Sequence, residues 1–146
     1  MNNFLRKTLP VANVHTGLLL LRVLAAAFIM THGYPKLMQF FSDEPVQFAN
    51  FMGIGPVASL ALSTFAEFIC PVFILLGLFT RLAAIPLVIN MAVAAFYAHA
   101  ADPFSVKEPA LLYLLIFIFI LITGAGRYSI DANLYTSSGK TNRRYI

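Results

Sequence analysis

The sequence predicts an all-α integral membrane protein, a bundle of four spanning helices. Three observations carry that expectation. Hydrophobic residues make up 60% of the 146 and charged residues only 11%, with a mean hydropathy of +0.80, whereas soluble domains run at about half and a quarter. The apolar residues gather into four stretches divided by proline, glycine and charge. None of them alternates in the manner of the roughly ten-residue strands that line a membrane β-barrel. The same figures exclude a disordered chain, a coiled coil, a collagen and a disulfide scaffold, and the lone Cys70 can form no disulfide within the chain. A chain this short makes one domain. Its formal charge of +4 comes from basic residues at segment ends and not from a patch, so no nucleic-acid partner is expected.

Taken in order, the helices are expected at about residues 17–40, 57–79, 82–101 and 109–124, with residues 132–146 as a loose cytoplasmic tail. A span needs about 20 residues at 1.5 Å each. The second and third stretches meet that length, and the apolar parts of the first and fourth are short enough to call for tilt or local thinning. Gly55-Pro56 opens the second, and Pro109 after Glu108 reads as the first-turn proline of the fourth. Pro71 and Pro86 fall inside spans, where each should kink its helix and free a carbonyl.

Basic residues set the orientation. Arg6, Lys7, Arg81, Arg127, Lys140, Arg143 and Arg144 would share one side and Lys36 and Lys107 the other, which places both termini in the cytoplasm of a bacterial inner membrane. Arg6 and Lys7 before an apolar run also resemble a signal peptide, but Arg22 interrupts that run and three spans follow, so an uncleaved first helix is expected. A faint repeat runs through the chain: Ala27-Phe28, His32 and Glu44-Pro45 correspond to Ala95-Phe96, His99 and Glu108-Pro109. It would relate two helical hairpins as a parallel repeat.

Ionisable groups at membrane depth require a partner or a purpose, since each costs about 2.5–3.5 kcal/mol to insert. Glu67 falls near the middle of the second stretch, and Arg22 lies in the first. The expectation is a buried polar core in which Glu67 pairs with Arg22 or is protonated, acting either to hold helix register or as a proton-relay or ligand carboxylate. Nearer the outer ends, His32, Lys36, His99, Glu108 and Tyr113 would form a polar vestibule above Glu67, the alternative being hydration of helix ends. Two histidines on different helices could ligate a b-type haem, or a metal with Glu108, but their place at the membrane edge disfavours both. Ser59, Ser63 and Thr64 form a small polar stripe with Glu67, and Asn90 and Tyr97 a similar pair on the third helix. Cys70 reads as packing, and no phosphate loop, dinucleotide fingerprint or other self-contained catalytic motif is present.

Leu21-Arg22, His32-Gly33, Lys36-Leu37, Glu67, Gly77-Leu78-Phe79-Thr80-Arg81-Leu82 and Gly124-Ala125-Gly126-Arg127-Tyr128-Ser129-Ile130-Asp131 follow one another in an order and spacing that resembles the DoxX family of small bacterial membrane proteins. The resemblance covers about residues 17–132. It implies a four-helix inner-membrane protein and a link to sulfur, thiol or oxidative-stress redox systems. The family's charged positions correspond to Arg22, His32, Lys36, Glu67, Arg81, Arg127 and Asp131, none with a transferable catalytic role. The function expected is therefore a membrane or quinone-contacting subunit of a redox system, partnered by other membrane or redox proteins. A quinone is the candidate ligand, with His32 or His99 as hydrogen-bond donor. The alternatives are a non-catalytic assembly partner and a small-solute or proton transporter acting as a homo-oligomer.

Overall fold

The computed structural model describes residues 11–137, all helix, turn and loop with no strand among them. Four helices are long and apolar enough to cross a membrane. Helix α1 spans Val11–Gln39, α2 Pro56–Leu76, α3 Thr80–Ala98 and α4 Phe104–Thr123. A short fifth helix, α5, covers Ile130–Ser137. The chain runs up and down: the α1–α2 and α3–α4 connections share one end of the bundle, here the loop end, and the α2–α3 turn shares the other with the start of α1 and the segment after α4.

The first and fourth spans are not short. Flanking polar residues continue α1 at both ends, and α4 begins directly after Pro103, five residues earlier than Pro109 suggested. A proline tolerates any early helical position whose N–H has no essential partner, so Pro109 did not mark the first turn. The expected loose tail is helical in its first part, and residues 138–146 lie outside those described, as do Arg6, Lys7, Lys140, Arg143 and Arg144.

Small side chains let the helices approach closely. Ala25, Ala26 and Ile29 of α1, Cys70 and Ile74 of α2, Ala83, Ala84, Leu87 and Met91 of α3, and Phe117 and Ile120 of α4 make one buried core. In lipid, where apolar surface gains nothing by leaving the solvent, such packing and the polar contacts described below supply the cohesion. Cys70 is packing, as its surroundings required. Large apolar residues such as Leu20, Phe28, Leu62, Leu82, Ile89, Leu115 and Ile122 are exposed, which suits acyl chains.

Helix α2 carries a distortion at its centre. Phe65–Ile69 winds as a π-turn, in which the Cys70 N–H donates to the carbonyl of Phe65. Its cause is Pro71, which has no N–H to give to the carbonyl of Glu67, four residues back. Gly33 of α1 packs against that same carbonyl so closely that a Cβ there would overlap the Glu67 backbone. This contact fixes the register of α1 on α2. Gly17, in contrast, has open space around it. Gly33→Ala should therefore cost about 1–3 kcal/mol by overpacking, read as a lowered thermal unfolding midpoint in detergent, while Gly17→Ala leaves the midpoint unchanged or raises it.

Candidate functional site

Glu67 is buried, 4% exposed, on the inner face of α2 halfway along the span. Its partner is not Arg22. Lys36 Nζ lies 2.6 Å from Glu67 Oε1 and donates also to Ser63 Oγ at 2.8 Å. Asn90 Nδ2 of α3 donates to the same Oε1 at 2.7 Å, and Ser63 Oγ does so at 3.4 Å. Glu67 Oε2 is buried with no hydrogen-bond partner. The reason for the correction is register. With Gly33 seated on the Glu67 backbone, Lys36 is one helical turn away, whereas Arg22 lies eleven residues, or about 16 Å of helix, in the other direction.

The loop after α1 closes over this pair. The Phe48 ring lies 5.6 Å from the Lys36 ammonium, a cation–π distance. The Phe51 N–H donates to Ser59 Oγ, and the Phe51 ring sits edge-on to Tyr97 of α3 at 5.1 Å. Asn50 Oδ1 accepts from the Gly55 N–H. Lys36, read from sequence as part of an outer vestibule, thus reaches the buried carboxylate from a half-buried position, with its side chain 23% exposed.

The rest of the expected vestibule is dispersed. His99 pairs with Asp102 through Nδ1 and Oδ2 at 2.7 Å on the surface, and because a carboxylate only accepts, that nitrogen carries the proton. Lys107 donates to the Ala100 carbonyl, and Glu108 is exposed. All three cap or decorate the α3–α4 connection, where short local contacts outcompete convergence across the bundle. His32 and Tyr113 do come together: their rings meet edge-to-face at 6.0 Å, and Tyr113 stacks on the core residue Phe117 at 6.1 Å. His32 is exposed within its span, at the α1–α4 side. No three His, Cys, Asp or Glu side chains gather as a metal site among the described residues.

The remaining charged residues build a clasp at the other end. Arg22, 3% exposed, donates from its two terminal nitrogens to the carbonyls of Ala125 and Tyr128, at 2.6 and 2.8 Å. Asp131 accepts from the N–H groups of Phe79 and Thr80, capping the first turn of α3, and its own N–H donates to the carbonyl of Gly77. That glycine ends α2 in the left-handed region (φ 70°), with the Leu78 N–H returning to the Phe73 carbonyl, and a Cβ on it would meet the Arg22 guanidinium. Arg81 donates to the Ile122 carbonyl, and the Arg127 N–H donates to His15 Nδ1. The sequence placed Arg81, Arg127 and Asp131 at helix ends but did not show that segment 124–131 folds back over α1, α2 and α3. The roles of Asn90, Phe48 and Gly33 were also not foreseen. Asn90 and Gly33 had a signal, an amide and a glycine at membrane depth, but the phenylalanine had none.

Breaking a buried ion pair by removing one partner strands the other, at about 3 kcal/mol or more, whereas removing both charges is much milder. Lys36→Met and Glu67→Gln should each lower stability sharply, and the double variant should recover most of the loss in a thermal-unfolding cycle. Asp131→Ala should cost about 1 kcal/mol through loss of the α3 cap.

With this geometry in place, comparison with known proteins is direct. The family model of DoxX matches residues 17–100. A Haemophilus influenzae protein, described as uncharacterized, is 30% identical over 122 residues, covering 79% of this chain and 88% of its own length. An uncharacterized membrane protein of Mycobacterium tuberculosis is 32% identical over 135 residues, covering 78% of each chain. No solved structure gives a significant match. The matched segment holds Arg22, His32, Gly33, Lys36, Glu67, Gly77, Arg81 and Asn90, and the chain belongs to the DoxX family.

Proposed function

We propose that this protein is a membrane subunit of a redox system that offers a hydrogen-bonding site to a quinone-type head group at the α1–α4 side of the bundle. The observation that supports it is His32, exposed within a spanning helix, with Tyr113 edge-on to it at 6.0 Å. A quinone ring is apolar with a polar oxygen at each end, so it needs a donor beside an apolar slot. His32 and Tyr113 supply donors, and Tyr113 rests on the apolar ring of Phe117. His99, the other histidine considered for this part, is engaged by Asp102. The chain carries no redox group of its own in this reading. Electrons are exchanged by a partner protein, and this subunit binds and orients the head group. The basic residues favour a bacterial cytoplasmic membrane with both termini inside, which puts the loop end on the outer side.

A purely structural role as an assembly partner is the second reading. It draws on Arg22, Arg81 and Asp131, which spend their polar groups on backbone atoms of the same chain. One measurement separates the two. Purified protein is titrated with a short-chain quinone analogue in its oxidised and its reduced form, following thermal stability and bound ligand. The quinone reading expects a rise in unfolding midpoint with at least one form, by mass action, and about tenfold weaker binding in His32→Ala. No binding of either form leaves the assembly role.

A further inference from the structure

The clasp end of the bundle carries an apolar surface that the fold does not use. Asp131 pins the start of α5 to the α2–α3 turn, its carboxylate accepting from the Phe79 and Thr80 N–H groups and its own N–H donating to the Gly77 carbonyl. That turn joins the end of one span to the beginning of the next, so α5 starts level with the membrane edge. Ile130 and Leu134, four apart and so on one face of α5, are both exposed, as are Tyr128, Phe79 and Leu82 at the same end. Leu82 leads along one face of α3 to Ile85 and Ile89, which are exposed too and lie where acyl chains must cover them. The apolar patch is therefore continuous with the lipid-facing surface.

The same end carries cations without counter-ions. Arg81 is exposed and gives one terminal nitrogen to the Ile122 carbonyl. Arg127 is exposed, and its guanidinium has no hydrogen-bond partner among the described residues. Neither meets a carboxylate there, since the ion pairs among those residues are Lys36–Glu67 and His99–Asp102, and Asp131 is spent on backbone N–H groups. Lys140, Arg143 and Arg144 follow α5 in the sequence, with no acidic side chain in 138–146. Exposed apolar side chains beside unpaired cations are what a helix lying in a membrane interface presents, and cations at the membrane edge draw anionic lipid. We propose that this end is a binding surface for anionic phospholipid: α5 lies in the interface with Ile130 and Leu134 toward the acyl chains, while Arg81 and Arg127 donate to lipid phosphate oxygens. The guanidinium fork suits a phosphate. The occupant is lipid and not a second protein because the patch runs without a break into surface that lipid already covers.

The sequence has no tryptophan, so Leu134→Trp, at an exposed position, provides a single reporter. In full-length protein reconstituted into vesicles of phosphatidylglycerol and phosphatidylcholine, its emission should be quenched by lipid brominated high on the acyl chain and little by aqueous iodide. Quenching by iodide and not by brominated lipid overturns the placement of α5. The headgroup contact is read separately, by titrating the protein in detergent with either lipid and following the unfolding midpoint. Phosphatidylglycerol should raise the midpoint more than phosphatidylcholine does, and inorganic phosphate at the same concentration should not reproduce the rise. Arg127→Gln should weaken the apparent affinity for phosphatidylglycerol about fivefold, and Arg127→Lys should keep most of it. Arg81→Gln with Arg127→Gln should abolish the difference between the two lipids. Equal stabilisation by both lipids, or a double variant that still tells them apart, overturns the lipid assignment. A rise that phosphate alone reproduces overturns it in favour of a free anion.

Discussion

A carboxylate halfway through an apolar slab is the constraint around which this protein is organised. Glu67 cannot be left to lipid, so donors from three helices converge on one of its oxygens. The local backbone participates in the same arrangement. Pro71 denies an N–H to the Glu67 carbonyl, α2 loosens into a π-turn, and the absence of a side chain at Gly33 lets α1 come against that carbonyl. The contact sets α1 at the one register from which Lys36 reaches the carboxylate. Backbone irregularity and side-chain pairing are two consequences of the same few residues.

The second polar cluster works on different terms. Arg22, Gly77, Asp131 and the segment after α4 tie the chain's return to the ends of α1, α2 and α3 through backbone carbonyls and N–H groups. Helix ends leave such groups unsatisfied, and a membrane-edge protein with few ordered loops must meet them with its own side chains. The alanine-rich core lies between the two clusters. One end of the bundle is thus closed by a structural clasp. The other half holds the Lys36–Glu67 pair beneath an aromatic loop.

The division between the ends explains why charged residues that look equivalent along the chain are not. Arg22 and Lys36 share a face of α1 and differ only in position. The guanidinium, planar and multiply donating, suits the two carbonyls that converge on it. The ammonium on its flexible stem bends from the outer turns of the helix toward a single carboxylate oxygen, with Phe48 over it. The membrane tolerates both because each charge is met by oxygen acceptors, Arg22 through its two terminal nitrogens and Lys36 through its ammonium.

Composition and the spacing of apolar stretches were enough for the fold class and the number of spans, because a bilayer imposes length and hydrophobicity on every span regardless of neighbours. The family was legible in short motifs for the same reason that the clasp exists: glycine, arginine and aspartate at helix ends perform backbone tasks few other residues can. Pairing was not legible. Which cation meets Glu67 depends on a contact between Gly33 and a carbonyl roughly 110–120 Å of extended chain away, and helical periodicity says which face a residue takes but not its height against a neighbour. The short contacts at His99 and Asp102, the fold-back of residues 124–131 and the reach of Phe48 over Lys36 were likewise decided only in three dimensions, where local hydrogen bonds compete with distant ones and the nearer partner wins.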